Sequence, residues 1–113
     1  MQQVAPLAVG DDVVVGPSGY DDVGAVRSGV PGKVTLHTVD FFPPVVDDAF
    51  AYGAIAAANS LSDIYASGGE PSVVLNLAGF PKDWGSDVLE QVFAGAVQVV
   101  KQSGAKWVGG HSV

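Results

Sequence analysis

The sequence predicts an α+β chain: a two-layer α/β domain in which two helices cover one face of a mixed sheet. Three observations carry this. Lys33 to Val39 and Val73 to Ala78 alternate with a period of two, as half-buried strands do. Two longer segments, about Asp48 to Ser67 and Ser86 to Gly104, repeat their apolar residues at helical spacing. The 113 residues hold 15 glycines and 7 prolines, which fall between these segments and act as punctuation rather than as low complexity.

The elements follow in order. Val13-Val14-Val15 is expected to begin a short strand, Gly16 to Tyr20 a loop, and Val23 to Arg27 a second strand after the acidic pair Asp21-Asp22. Gly29 to Gly32, with Pro31, is the next turn. In the strand that follows, Val34, Leu36 and Thr38 share one face and Thr35, His37 and Val39 the other, and the strand ends at Asp40. The first helix carries Ala54, Ala57, Ala58, Leu61, Ile64 and Tyr65 at helical spacing, a small-residue face suited to close packing, with Asp47-Asp48 at its start and Gly68-Gly69 as its stop. Val73, Leu75 and Leu77 alternate with Val74, Asn76 and Ala78 into the Gly79-Phe80-Pro81 turn. Ser86 reads as the N-cap of the second helix, with Asp87 in its first turn and a wide apolar stripe from Val88 to Val100. Lys106-Trp107-Val108 is a last strand running into Gly109-Gly110-His111-Ser112. Two helices shield one side of such a sheet, while both strand faces carry apolar groups. A sheet-to-sheet homodimer or a second domain is therefore expected to cover the other.

Composition narrows the function. Twelve acidic against five basic residues give a formal charge of −7, the opposite of a nucleic-acid surface. With no cysteine there is neither a disulfide framework nor a thiolate metal site. The start lacks the basic, then long apolar, pattern of a targeting segment, and no stretch reaches the roughly 18 apolar residues of a membrane span. The expectation is a soluble, cytoplasmic chain with no nucleic-acid or membrane partner. Within it, Asp21-Asp22, Asp40 and Asp63 form three acidic clusters spaced through an already acidic chain. A divalent cation bridging a polyphosphate would explain them.

The motifs His37-Thr38-Val39-Asp40-Phe41-Phe42-Pro43-Pro44-Val45-Val46-Asp47-Asp48, Ile55 to Gly69 with Asn59-Ser60-Leu61-Ser62-Asp63 at its centre, Gly79-Phe80-Pro81 and Gly109-Gly110-His111-Ser112 resemble the N-terminal domain of selenophosphate synthetase (selenide, water dikinase). The likeness runs from about Val15 to the last residue. The Asn-x-x-x-Asp helix is shared across the wider superfamily of aminoimidazole ribonucleotide synthetase, thiamine-monophosphate kinase and hydrogenase-maturation proteins. The Thr-Val-Asp-Phe-Phe strand and the Gly-Phe-Pro turn point to selenophosphate synthetase.

The resemblance implies an Mg2+ and ATP site. Asp22 and Asp63 match metal ligands, and hard carboxylate oxygens suit magnesium, which takes one or two carboxylates and keeps several waters. Asp40 matches an acid that contacts ATP, and Gly19, Tyr20 and Asp21 the loop before the metal ligand. Asn59, one turn before Asp63, projects from the same side of the helix. Gly110, His111 and Ser112 match a stretch that reaches the nucleotide across the dimer interface. Ordinary structural roles stand beside these: a turn for Asp21, a strand-end cap for Asp40, a packed or exposed side chain for His37 and His111, core or interface for Trp84 and Trp107. Asp47 and Asp48 read as helix-capping residues rather than ligands.

Selenophosphate synthetases also carry a glycine-rich segment with a catalytic cysteine or selenocysteine and a lysine, and a second domain with a further metal-binding aspartate. Neither a cysteine nor a lysine precedes Gly16. The expectation is thus a single N-terminal domain over 1–113, without the catalytic segment and second domain and with no catalytic residue of its own. Two functions are open: the Mg-ATP-binding and dimerisation domain of the enzyme that phosphorylates selenide, or an inactive stand-alone dimerisation or interaction domain. A superfamily relative with another acceptor is a variant of the first.

Overall fold

The computed structural model describes residues 13–15, 23–41 and 43–112. Among the described residues, five strands and two helices follow one another: β1 (Val13–Val15), β2 (Gly24–Arg27), β3 (Val34–His37), α1 (Ala49–Ala66), β4 (Val73–Ala78), α2 (Ser86–Ser103) and β5 (Lys106–Ser112). The expected mixture of strands and two helices holds. The described strands are shared between two sheets, an antiparallel β1-β2-β3 and a parallel β4-β5.

The β2-β3 hairpin pairs Gly24 with His37 through Arg27 with Val34. Its turn closes with the Lys33 amide donating to the Val30 carbonyl at 3.1 Å. Pro31 and Gly32 occupy the two central positions, and Gly32 has φ 78°, the value a type II turn requires at its second central residue. Parallel strands cannot be joined by a tight turn, so α2 serves as the crossover from β4 to β5. In the β4-β5 ladder Val74 pairs with Trp107 but Leu75 with Gly109, leaving Val108 as an extra residue in β5.

Asp48 caps α1, its carboxylate accepting from the Ala51 amide at 3.3 Å. Removing that acceptor in Asp48→Ala should cost about 1 kcal/mol, read as a lower thermal midpoint with an unchanged fold by circular dichroism. At the start of α2 the expectation is corrected by one residue: the N-cap is Gly85, with no side-chain cap bond, and Ser86 is the first helical residue. Asp87 stands in the first turn and Lys101 in the last, both favourable to the helix dipole. Gly104 ends the helix with a left-handed φ of 80°.

The two helices pack on each other through small residues. A Cβ on Gly53 would overlap the Val92 carbonyl, and one on Gly95 would overlap the Phe50 carbonyl. Leu61 from α1 and Val92, Ala96 and Val100 from α2 are buried, with Ala105 just beyond, while Val23 and Ala25 are the buried residues at β2. Phe80 extends the packing past β4, edge-on to Phe93 with ring centres 6.0 Å apart and tilted on Trp84 at 5.4 Å. One face of β4 is different: Val73, Leu75 and Leu77 are 61, 68 and 71% exposed. The opposite face, Val74, Asn76 and Ala78, is half-buried.

Candidate functional site

The strand period places Leu36, Thr38 and Asp40 on a common side, and each meets α1 or its end. Leu36 Cδ1 lies 2.6 Å from where a Cβ on Gly69 would stand, against the C-terminal end of α1. Thr38 Oγ1 donates to Asp63 Oδ2 at 3.3 Å. Asn59 Nδ2 donates to Asp40 Oδ2 at 2.8 Å. The other Asp40 oxygen, Oδ1, accepts the Phe41 amide at 2.9 Å. As the chain advances from residue 36 to 40 its contacts step back along the helix from 69 through 63 to 59, so the segment leaving β3 runs antiparallel to α1.

Asn59 and Asp63 are one turn apart on α1, both half-buried, while Asp40 is exposed. Two carboxylates and an amide thus converge between the end of β3 and one face of α1. Ser62, beside them, is occupied locally, donating to the Asn59 carbonyl at 2.6 Å. Of the expected site residues, Asp40, Asn59 and Asp63 are brought together. Gly19, Tyr20, Asp21 and Asp22 lie outside the described residues. Thr38 is a member the site expectation did not include; its position two residues before Asp40 on the same strand face was the signal for it.

Gly110, His111 and Ser112 belong to β5 rather than to a loop after it, paired with Asn76, Leu77 and Ala78. A Cβ at residue 110 would overlap the Asn76 carbonyl, so glycine is needed there for the strands to pair. With Asn76, Phe93, Trp107 and Gly109 these three residues line an open pocket of about 310 Å3 at the end of the parallel pair. Asp40, Asn59 and Asp63 do not line it. The described site residues therefore form two groups, one on β3-α1 and one on β5.

The donor set can be tested against magnesium. Among the described residues no three His, Cys, Asp or Glu gather as a metal cage. Asp40 and Asp63 offer hard oxygens from two carboxylates, each partly engaged and oriented by a hydrogen bond. That fits a cation that takes one or two carboxylates and completes its shell with water and phosphate oxygens.

The family model for AIR synthase related protein, N-terminal domain, matches residues 20–113. The chain belongs to this family. Curated relatives include selenide, water dikinase of Nitratidesulfovibrio vulgaris strain Hildenborough, 48% identical over 106 residues, covering 92% of this chain and 30% of that protein. The selenide, water dikinase of Myxococcus xanthus DK1622 is 48% identical over 104 residues, covering 92% and 29%. The chain thus spans about 30% of the length of these relatives. Among solved structures it is similar to tt0281 from Thermus thermophilus, with a TM-score of 0.76 at 25% identity over 98% of this chain and 37% of that one. AaThiL complexed with AMPPCP and TMP matches with a TM-score of 0.71 at 26% identity over 81% of this chain and 31% of that one. Membership of the AIR synthase N-terminal-domain family accounts for the mixed architecture of two helices and small sheets. No helix among the described residues is long and apolar enough to cross a membrane.

Proposed function

We propose that this chain is the Mg-ATP-binding and dimerisation domain of a selenophosphate synthetase, a cytoplasmic enzyme that phosphorylates selenide with ATP to give selenophosphate. The observation that carries the reading is the convergence of Asp40, Asn59 and Asp63 across β3 and α1. Support comes from relatives named selenide, water dikinase at 48% identity, and from the similarity to AaThiL, solved with the ATP analogue AMPPCP. In this reading Asp22 and Asp63 are the magnesium ligands. Asp40, Asn59 and the Gly19-Tyr20-Asp21 loop belong to the nucleotide side, and Gly110, His111 and Ser112 reach a nucleotide held by the partner copy. Magnesium would neutralise the polyphosphate charge, which is the main requirement of phosphoryl transfer. The residues of this chain hold and orient the carboxylates, and the group that receives the phosphoryl lies outside the residues assigned here. Titration of the chain with ATP, with and without Mg2+, tests the reading. Magnesium-dependent binding is expected, and heat traces indistinguishable between the two conditions would refute it.

The second reading, a dimerisation or interaction domain without activity, draws on the open face of β4. Val73, Leu75 and Leu77 form a row of large apolar side chains more than half exposed, and a second copy supplies the natural cover. Leu75→Glu should convert a dimer to monomer, because burying an unpaired carboxylate in such an interface costs several kcal/mol. Sedimentation at matched concentration checks it, and a wild-type chain that sediments as a monomer would argue against both the dimer and the shared site.

A further inference from the structure

Asp40 and Asp63 sit on different elements, a chain segment leaving β3 and the body of α1. Among the described residues the backbone ladder of β3 runs to β2 and does not tie the two together. Two side-chain bonds run between them. Asn59 of α1 donates to Asp40 of the segment at 2.8 Å, and Thr38 of the segment donates to Asp63 of α1 at 3.3 Å. The spacing permits both at once. Residues i and i+2 of an extended chain are about 6.6 Å apart, and residues i and i+4 of a helix about 6.0 Å along its axis, so Thr38 and Asp40 can face Asp63 and Asn59 in register.

We infer that Thr38 and Asn59 are positioning residues that form a crossed latch, each holding the carboxylate carried by the other element. The inference rests on the Mg-ATP reading and specifies how the site is built: Asn59 acts through Asp40 rather than by touching the nucleotide, and Thr38 acts through Asp63. The direction of donation supports this. In both bonds the neutral side chain gives the proton and the carboxylate accepts it, so each carboxylate keeps its charge and has one oxygen direction fixed. Asp40 is fixed twice, since the Phe41 amide holds its second oxygen at 2.9 Å. A carboxylate held at both oxygens presents its remaining lone pairs in one direction. On the nucleotide side Asp40 would meet the polyphosphate only in the presence of its cation, since an uncompensated carboxylate repels phosphate, so the effect of Asn59 through Asp40 depends on Mg2+ as that of Thr38 through Asp63 does. The arrangement parallels the outer partners that orient metal-bound carboxylates generally, whose loss weakens metal affinity by about 10- to 100-fold.

The test is a Mg2+ titration at fixed ATP on the full chain carrying Thr38→Val, Thr38→Ser or Asn59→Leu. Valine keeps the shape of threonine and removes the hydroxyl; serine keeps the hydroxyl. The Mg2+ concentration for half-maximal ATP binding should rise roughly tenfold in Thr38→Val and in Asn59→Leu and stay near wild type in Thr38→Ser. Weak ATP binding without Mg2+ should be the same in all four proteins, because a direct nucleotide contact would be lost in both conditions and a positioning contact only in one. Thr38→Val and Thr38→Ser behaving alike would overturn the inference while leaving the Mg-ATP site standing. So would an equal loss with and without Mg2+ in Asn59→Leu. A wild-type chain with no Mg2+-dependent ATP binding would overturn both. Should Asn59→Leu unfold, Thr38→Val against Thr38→Ser decides alone.

Discussion

Gly95→Val is expected to destabilise the chain by about 3 kcal/mol or more, above the ordinary range for overpacking a core, because the clash is with backbone rather than with a side chain that can rotate away. A Cβ at position 95 would overlap the Phe50 carbonyl and approach the Ala54 amide nitrogen to 2.9 Å. The reciprocal contact lies one turn along the crossing, where a Cβ at Gly53 would overlap the Val92 carbonyl and reach within 3.1 Å of the Ala96 nitrogen. Relief requires the helix axes to separate, and separation opens the contacts of Leu61, Val92, Ala96 and Val100, which are among the few buried side chains of the described residues. A domain of this size has on the order of 5–15 kcal/mol in total, so the loss is a large share of it. Urea unfolding measures it. Gly29→Ala, where a Cβ meets nothing within 4 Å, serves as the control and should leave the midpoint in place. A Gly95→Val midpoint equal to that of the control would show that the helices do not pack this closely.

That crossing shows what the sequence made legible and what it did not. An alanine-rich face predicts close packing, and the helix bounds fell within a residue or two, because periodicity and the Asp48 and Gly104 punctuation are local signals. Which helix residue meets which is a tertiary fact, and nothing local marks Gly53 and Gly95 as partners. The same limit separates strand existence from strand pairing. Alternation identified β3 and β4, but alternation is identical in a strand of either sheet, so the division into β1-β2-β3 and β4-β5 had no local sign. Gly109-Gly110 read as the end of a strand because two glycines usually mark a turn. They lie inside β5, where Gly110 answers the closeness of Asn76 on the neighbouring strand. Ser86 lost the cap position to Gly85 for a related reason: cap preference ranks residue types, and glycine tolerates the position almost as well. At the site, the acidic residues were legible as types. Their meeting was legible only through the strand period that puts Thr38 and Asp40 on the side facing α1.

Asp63→Ala should lower Mg2+-dependent ATP affinity on the order of a hundredfold, as expected when a hard cation loses one of its few charged ligands. The sign of the Mg2+-free experiment is opposite and makes the result diagnostic. Without a cation, a carboxylate next to a polyphosphate repels it, an effect that solvent and salt screen strongly at a half-exposed position such as that of Asp63. Removing Asp63 from a chain of net charge −7 should therefore leave Mg2+-free binding unchanged or make it slightly tighter. A residue that merely supports the fold would weaken both. Asp63 does have a structural contact, the Thr38 hydroxyl at 3.3 Å, but that bond is long for a hydroxyl donor and half-exposed, so its loss should move the thermal midpoint little. Asp47→Ala is the matched control: it removes the same charge from an exposed position just before the Asp48 cap, and shares the sequence region without sharing the site. The decisive pattern is a Mg2+-dependent loss in Asp63→Ala, none in Asp47→Ala, and no loss in either without Mg2+. If the two variants instead weaken binding equally, Asp63 contributes only general surface charge, and the β3-α1 convergence is a fold contact rather than a metal site.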